Sequence, residues 1–208
     1  MKTLLFCLLI LSHASIGNRT INYPKLGGVN VLKIDPAAST IDWKAEKTTG
    51  THTGTIKIRS GNLTFYCRQL AKGTILIDMN TIDVADLQSP RKQQLESNLK
   101  GDNFFDTNKF PLAQLDIVSV NSQSEANYHF VTITGNLQLH GITKRIVFTA
   151  DISKNTADNF TAQADIMINR QDWDIATRNM KYNLLINKSI SLHVTLQANK
   201  PNEQVSSL

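Results

Sequence analysis

Scarcities narrow the class of this chain first. Cysteine is nearly absent: Cys7 and Cys67 are the only two in 208 residues. The small scaffolds that rely on several disulfides are therefore excluded, and a packed core must supply the stability. The histidines other than His13, namely His52, His129, His140 and His193, are dispersed, with no HxxxH or CxxC spacing, so no metal site is predicted. A Gly-x-Ser-x-Gly elbow, a paired His-Glu and a glycine-rich phosphate loop are all missing. No catalytic residue is therefore assigned, and no cofactor. The lysines and arginines are scattered without a basic run, which gives no footprint for nucleic acid. The one unbroken apolar stretch, residues 4–11, is far shorter than the roughly 20 residues of a bilayer span, so no integral membrane span is expected.

That stretch has another reading. Lys2 gives a positive start, residues 4–11 an apolar centre, and Ser12-His13-Ala14 the small residues at first and third position that a signal peptidase accepts. Residues 1–14 are expected to be a cleaved secretion signal, placing the protein in the periplasm or outside the cell. Its removal takes one lysine, moving the formal net charge from +5 to +4, and leaves Cys67 without an internal partner. Four Asn-x-Ser/Thr sequons, at Asn18, Asn62, Asn159 and Asn187, would suggest glycans in a eukaryotic secreted protein. In a bacterium they are chance in an Asn- and Thr-rich chain, the reading favoured here.

What the chain does have is alternation. In residues 189–198 every second side chain is apolar, and residues 162–169, 55–59 and 63–65 repeat the pattern. Side chains alternate faces along a strand, so each run has one dry face and one wet face. Further strands are expected near residues 31–47, 73–79, 112–120, 128–139 and 145–152. Turn signals at Ser60-Gly61-Asn62, His140-Gly141 and residues 154–159 separate them. The fold class is thus all-β, and strands of this length favour a barrel over a sandwich. One segment departs: residues 89–101 predict a short helix with Ser89 as N-cap, Pro90 at the first position and Gly101 just past the end. Leu95 and Leu99 share a face there, so the helix can cover a barrel mouth. Residues 15–30 are expected to be a loose arm, 31–199 one barrel domain, and 200–208 a frayed tail.

Four stretches in order carry a resemblance. Residues 33–43, with Ile34-Asp35 and Ile41-Asp42-Trp43, form the first. Next comes Asp102-Asn103-Phe104-Phe105-Asp106, running on to Phe110-Pro111. Gly135-Asn136-Leu137 leads to Gly141-Ile142-Thr143-Lys144, and Asn169-Arg170-Gln171-Asp172-Trp173 is the last and weakest. Together they resemble the YceI family. Departures occur at Pro90-Arg91-Lys92, where the family usually carries an Arg-Asp pair, at Asp174, where it usually has Gly, and at residues 179–187. The resemblance implies a lipocalin-like antiparallel barrel of about eight strands, enclosing an elongated apolar pocket for polyisoprenoid chains such as isoprenoid quinones, or related amphiphiles. It also implies export to the periplasm.

An apolar tail needs an apolar tube. The inward stripes predict its wall: Ile56, Ile58, Phe65, Ile75, Ile77, Leu115, Ile117, Val131, Ile133, Phe148, Ile166, Ile168, Leu192 and Val194. Phe104, Phe105 and Phe110 are expected to plug one barrel end, and Asp102, Asp106 and Arg170 to form a structural ion-pair cluster. Two functions remain: a carrier or scavenger of a long isoprenoid-type lipid, and a closed-core extracellular interaction or stress-response module with no small ligand. The sequence leaves the oligomeric state open, a homodimer included.

Overall fold

Among the described residues, nine strands carry the alternation into three dimensions. A computed structural model describes residues 28–124, 127–178 and 180–201. The expected signal, most of the expected arm and residues 202–208 of the expected tail lie outside the described residues. The strands are β1 (Val29–Ile34), β2 (Thr40–Lys47), β3 (Gly50–Tyr66), β4 (Gln69–Val84), β5 (Leu112–Ser124), β6 (Asn127–Leu139), β7 (Ile142–Asn155), β8 (Asn159–Asn169) and β9 (Ile186–Asn199). Two helices, α1 (Arg91–Lys100) and α2 (Met180–Leu185), and a 3-10 turn at Arg170–Trp173 complete the elements.

All pairings are antiparallel, and the sheet closes because β3 pairs with β4 as well as with β2. The result is an eight-stranded barrel with β1 as an extra piece. β1 and β2 occupy one lane: both lie between β3 and β9, β2 at one end and β1 at the other. The single strand expected over residues 31–47 is therefore broken by a jog. At the break the Asp35 carboxylate accepts N–H bonds from Ala37 and Ala38, at 2.9 and 3.3 Å. The Ser39 hydroxyl donates to the Asp35 carbonyl at 2.7 Å. Pro36, which has no N–H to contribute, fits where the ladder is interrupted.

Two turns and one non-turn show how local chemistry sets the lanes. His140 and Gly141 both have positive φ, 51° and 75°, which a two-residue hairpin joining right-twisted strands requires. Ser60-Gly61-Asn62, expected as a turn, instead lies inside the 17-residue β3, beside a register shift. Gly61 serves close packing there, since a Cβ would come within 2.5 Å of the Ile34 side chain and the Thr74 carbonyl.

The barrel is not zipped along its whole circumference. The β7–β8 ladder runs only from Asn155–Phe160 to Ala150–Ala164. Beyond that point Ile142–Thr149 of β7 pairs only with β6, and Asp165–Asn169 of β8 only with β9. Trp173, buried in the 3-10 turn, bridges the far end of this seam: its indole N–H donates to the Leu137 carbonyl at 3.2 Å, and its own carbonyl meets His140 Nδ1 at 2.9 Å.

α1 covers the same barrel end. It starts one residue later than expected: Pro90 takes the N-cap position and no side chain caps the helix, so Ser89 does not play that part. Ties to β4 hold it instead. Lys92 Nζ lies 2.8 Å from Asp83, and the Glu96 carboxylate accepts the Val84 N–H at 3.0 Å. The Asp83 contact raises the Lys92 pKa.

Candidate functional site

The inward faces do not meet at the barrel axis. They enclose a cavity of about 430 Å³, within the range of small-molecule pockets. Its wall reaches from Leu70 and Phe160 near one end to His52, Asn98 and Leu185 at the other. The β8 lining alone spans Phe160 to Ile168, roughly 26 Å of strand at about 3.3 Å per residue. Strand tilt of about 40° reduces this to roughly 20 Å along the axis. The chamber is thus long and narrow.

Thirteen of the fourteen wall residues expected from alternation border this cavity. Phe65 is the exception. It lies behind the lining, 2 % exposed, packed edge-to-face on Phe160 with centroids 5.3 Å apart. Phe104 and Phe105 face the chamber together with Leu95 and Leu99 of α1. Phe110 does not join them. It packs instead against the His140 ring, 5.1 Å away, and over the bare Cα of Gly141.

Several lining residues lie outside the fourteen, and Ile82 among them departs from the alternation. Met79 and Ile82 both face inward although three apart, because β4 advances five residues, Asp78 to Asp83, while β3 advances two, Lys57 to Thr55. The Thr81 hydroxyl pins this bulge, accepting the Lys57 N–H at 2.9 Å and donating to the Asp78 carbonyl at 2.6 Å. Such a bulge reverses face parity, which a period-two reading cannot anticipate. Trp43, at 7 % exposure, is another lining residue outside the fourteen.

Polar groups gather at the covered end. Glu46, Lys47 and Thr49 of the β2–β3 hairpin, His52, Asn98 of α1 and Leu185 of α2 border the cavity, and all except His52 are exposed to solvent. The chamber therefore opens between that hairpin and the two helices. A hydrogen bond from Lys44 at 2.9 Å holds the Glu46 carboxyl below the usual range. Partial burial pushes the Asp86 carboxyl up, but the Thr53 N–H at 2.9 Å and the His52 ring at 2.8 Å outweigh it, and its pKa falls. Gln163, an exposed residue, borders the cavity beside the β7–β8 seam, so the chamber reaches the wall there as well.

Arg170 corrects the expected ion-pair cluster. Its guanidinium, 1 % exposed, has no carboxylate within salt-bridge distance among the described residues. Nε donates to the Asn187 carbonyl at 3.1 Å, and Nη1 to the carbonyls of Ile175 and Ala176 at 2.9 and 3.4 Å. Nη2 reaches the carbonyls of Asn183 and Ile186, at 3.1 and 2.9 Å, and Asn183 Oδ1 at 3.3 Å. All five N–H donors are thus engaged. Burial lowers the Arg170 pKa, yet a guanidinium remains charged in proteins. It clasps the 3-10 turn, α2 and the start of β9 into one cover. Asp174 follows with φ 55°, the left-handed conformation that glycine adopts most readily and that Asp tolerates.

A closed antiparallel barrel around one long apolar chamber, lidded by short helices, defines a container rather than a scaffold for surface chemistry. Among the described residues, no group of three or more His, Cys, Asp or Glu could hold a metal ion, and no helix is long and apolar enough to cross a membrane. The chain belongs to the YceI-like domain family, whose model matches residues 32–198. A UPF0312 protein of Pseudomonas putida (strain W619) is 29 % identical over 105 residues, 50 % of this chain and 51 % of the relative. A second, from Photorhabdus laumondii, is 27 % identical over 99 residues, 48 % of this chain and 47 % of the relative. The chain thus spans about half the length of the curated relatives it matches. Among solved structures, Burkholderia cenocepacia BcnA superposes with a TM-score of 0.68 at 17 % identity, over 80 % of this chain and 99 % of that one. A polyisoprenoid binding domain from Saccharophagus degradans, implicated in plant cell wall breakdown, gives 0.61 at 16 % identity, over 84 % and 100 %. At these identities the likeness establishes the shared fold.

Proposed function

We propose that the protein binds one long apolar chain of the isoprenoid type, with the tail along the barrel axis and the polar head toward the α1 end, and carries or sequesters it outside the cytoplasm. The observation that carries this reading is the chamber itself, long, narrow and walled almost wholly by aliphatic side chains. Such a wall rewards each methylene taken from water by about 0.8 kcal/mol before association costs. A core packed throughout would have favoured the interaction-module reading. The polyisoprenoid-binding neighbour points to the same ligand class. No reaction is assigned: among the described residues the one buried guanidinium, that of Arg170, spends its donors on the protein's own carbonyls. Export rests on the pattern of residues 1–14, and mass analysis of the secreted protein finding Met1–Ala14 intact would refute it.

The test of carriage is a competition series of prenyl chains of increasing length, linear fatty acids and a short quinone analogue. Affinity should rise with chain length and level off when the tube is full. Indifference to length, or dependence on headgroup charge alone, would return the closed-core module as the better reading.

A further inference from the structure

The mouth of the chamber is apolar on its outer side as well as within. Leu185, the last residue of α2, borders the cavity and is 40 % exposed. Its neighbour Leu184 is 74 % exposed and does not line the chamber. Single exposed apolar side chains are ordinary on protein surfaces. This pair differs, because apolar surface continues from the chamber wall through Leu185 to Leu184 on the outside of the cover.

The backbone fixes the pair in place. The Thr48 N–H, in the β2–β3 hairpin, donates to the Leu185 carbonyl at 3.0 Å, and Arg170 holds the carbonyls of Asn183 and Ile186 on either side. Cations stand around it. Lys47 lies opposite Ile186 in the β2–β9 ladder, Lys188 is two residues further along β9, and Arg91 opens α1 four residues before Leu95. All three are exposed, and none makes an ion pair among the described residues. The rim carboxylates are already matched: Glu46 by Lys44 at 2.9 Å, Asp86 by His52 at 2.8 Å, and Asp83 by Lys92 at 2.8 Å. Exposed Asp172 and Asp174 of the 3-10 turn face Arg178 as a fourth free cation, so the cover keeps a positive excess.

We propose that this rim docks on a bilayer surface bearing anionic headgroups, with Leu184 and Leu185 entering the acyl boundary while Lys47, Lys188 and Arg91 meet lipid phosphates. Apolar side chains flanked by cations are the combination that settles in a membrane interface. Docked in this way, the mouth faces hydrocarbon, and a long apolar chain passes between bilayer and chamber without crossing water. Two leucines and a few cations give weak, reversible attachment, which suits a protein that must leave with its cargo. The purpose of docking rests on the carrier reading, but docking itself is measured with no cargo present.

The test is flotation of the protein, without added ligand, on vesicles of phosphatidylcholine alone and of phosphatidylcholine mixed with phosphatidylglycerol. The protein should float with the mixed vesicles, release from them in high salt, and bind the neutral ones at least about fivefold more weakly, since each cation near an anionic surface is worth roughly that factor. L184S and K188E should each weaken attachment to the mixed vesicles by about tenfold. Neither residue lines the chamber, so both variants should take up a short soluble prenyl chain as the unmodified protein does. V29S, which removes an equally exposed apolar side chain at the far end of the barrel, should float unchanged. Equal binding to the two kinds of vesicle, or L184S and K188E floating like the unmodified protein, would overturn the proposal. Failure to float with either vesicle would overturn it too, turning the leucine pair toward a protein partner and leaving the carrier reading to its own test in solution.

Discussion

Replacing Arg170 by methionine would keep most of the apolar stem and remove all five donors. The outcome depends on where the abandoned carbonyls lie. Those of Asn183, Ile186 and Asn187 belong to residues that are half-buried or exposed and can turn to water. Those of Ile175 and Ala176 cannot, since these residues are 2 % and 0 % exposed. Two orphaned buried acceptors at roughly 1–3 kcal/mol each, with the lost clasp on the cover, give about 3–5 kcal/mol of destabilisation. At a urea slope of about 2 kcal/mol per molar, the unfolding midpoint should fall by roughly 2 M. Arg170→Lys should recover only part of this, because three donors on one nitrogen cannot serve carbonyls that surround a planar fork. Asp102→Asn and Asp106→Asn should leave the midpoint nearly unmoved, unlike in an ion-pair cluster. If Arg170→Met costs less than about 1 kcal/mol, or if either Asp variant matches it, the carbonyl-clasp account is wrong.

Ile166 and Leu192 face each other across the β8–β9 ladder, so Ile166→Asp should cost several kcal/mol or abolish lipid uptake, whereas exposed Lys57→Asp should be nearly silent in both assays. Gly54→Ala should destabilise the barrel at a site with no room, because its Cβ would collide with the Asp83 carbonyl and the Trp43 indole; calorimetry should register a large drop in Tm. The Asp86 carboxyl is lowered in the fold, so its stabilisation is present above the ordinary Asp value of about 3.9 and lost as pH falls through the folded value. Asp86→Asn should therefore flatten the acid limb of the stability profile below about pH 4, and chemical unfolding at several pH values would detect it.

Legibility followed the regularity of the backbone. β8 and β9 keep strict parity from Asn159 to Asn169 and from Ser189 to Ala198, and their inward residues could be read from the chain directly. The bulge at Asp78–Asp83 hid Ile82, because three extra residues are invisible to a period-two pattern, whereas Met79 keeps the parity of Ile75 and Ile77. Ser60-Gly61-Asn62 carried the composition of a turn, but its glycine answers to a neighbouring side chain far along the chain. Arg170 was misread for a different reason. Charge in a sequence suggests an opposite charge, and nothing local indicates that backbone carbonyls from three separate segments will converge to replace one.

Where β7 and β8 part, the barrel regains what closure removes from a sheet, namely free strand edges. Unpaired edges invite a strand from another molecule, and proteins discourage this with charge and interruption. Here Lys144 and Arg145 stand exposed on one edge, and Asp165, bonded to His193 at 2.7 Å, on the other. Exposed Val147 and Met167 sit between them. The apolar pair makes these edges sticky; the flanking charges make them selective, favouring whatever satisfies the apolar strip without needing to pair backbone to backbone. The same wall that encloses the chamber thus carries its own guard against self-association along this open line of the hydrogen-bonded ring.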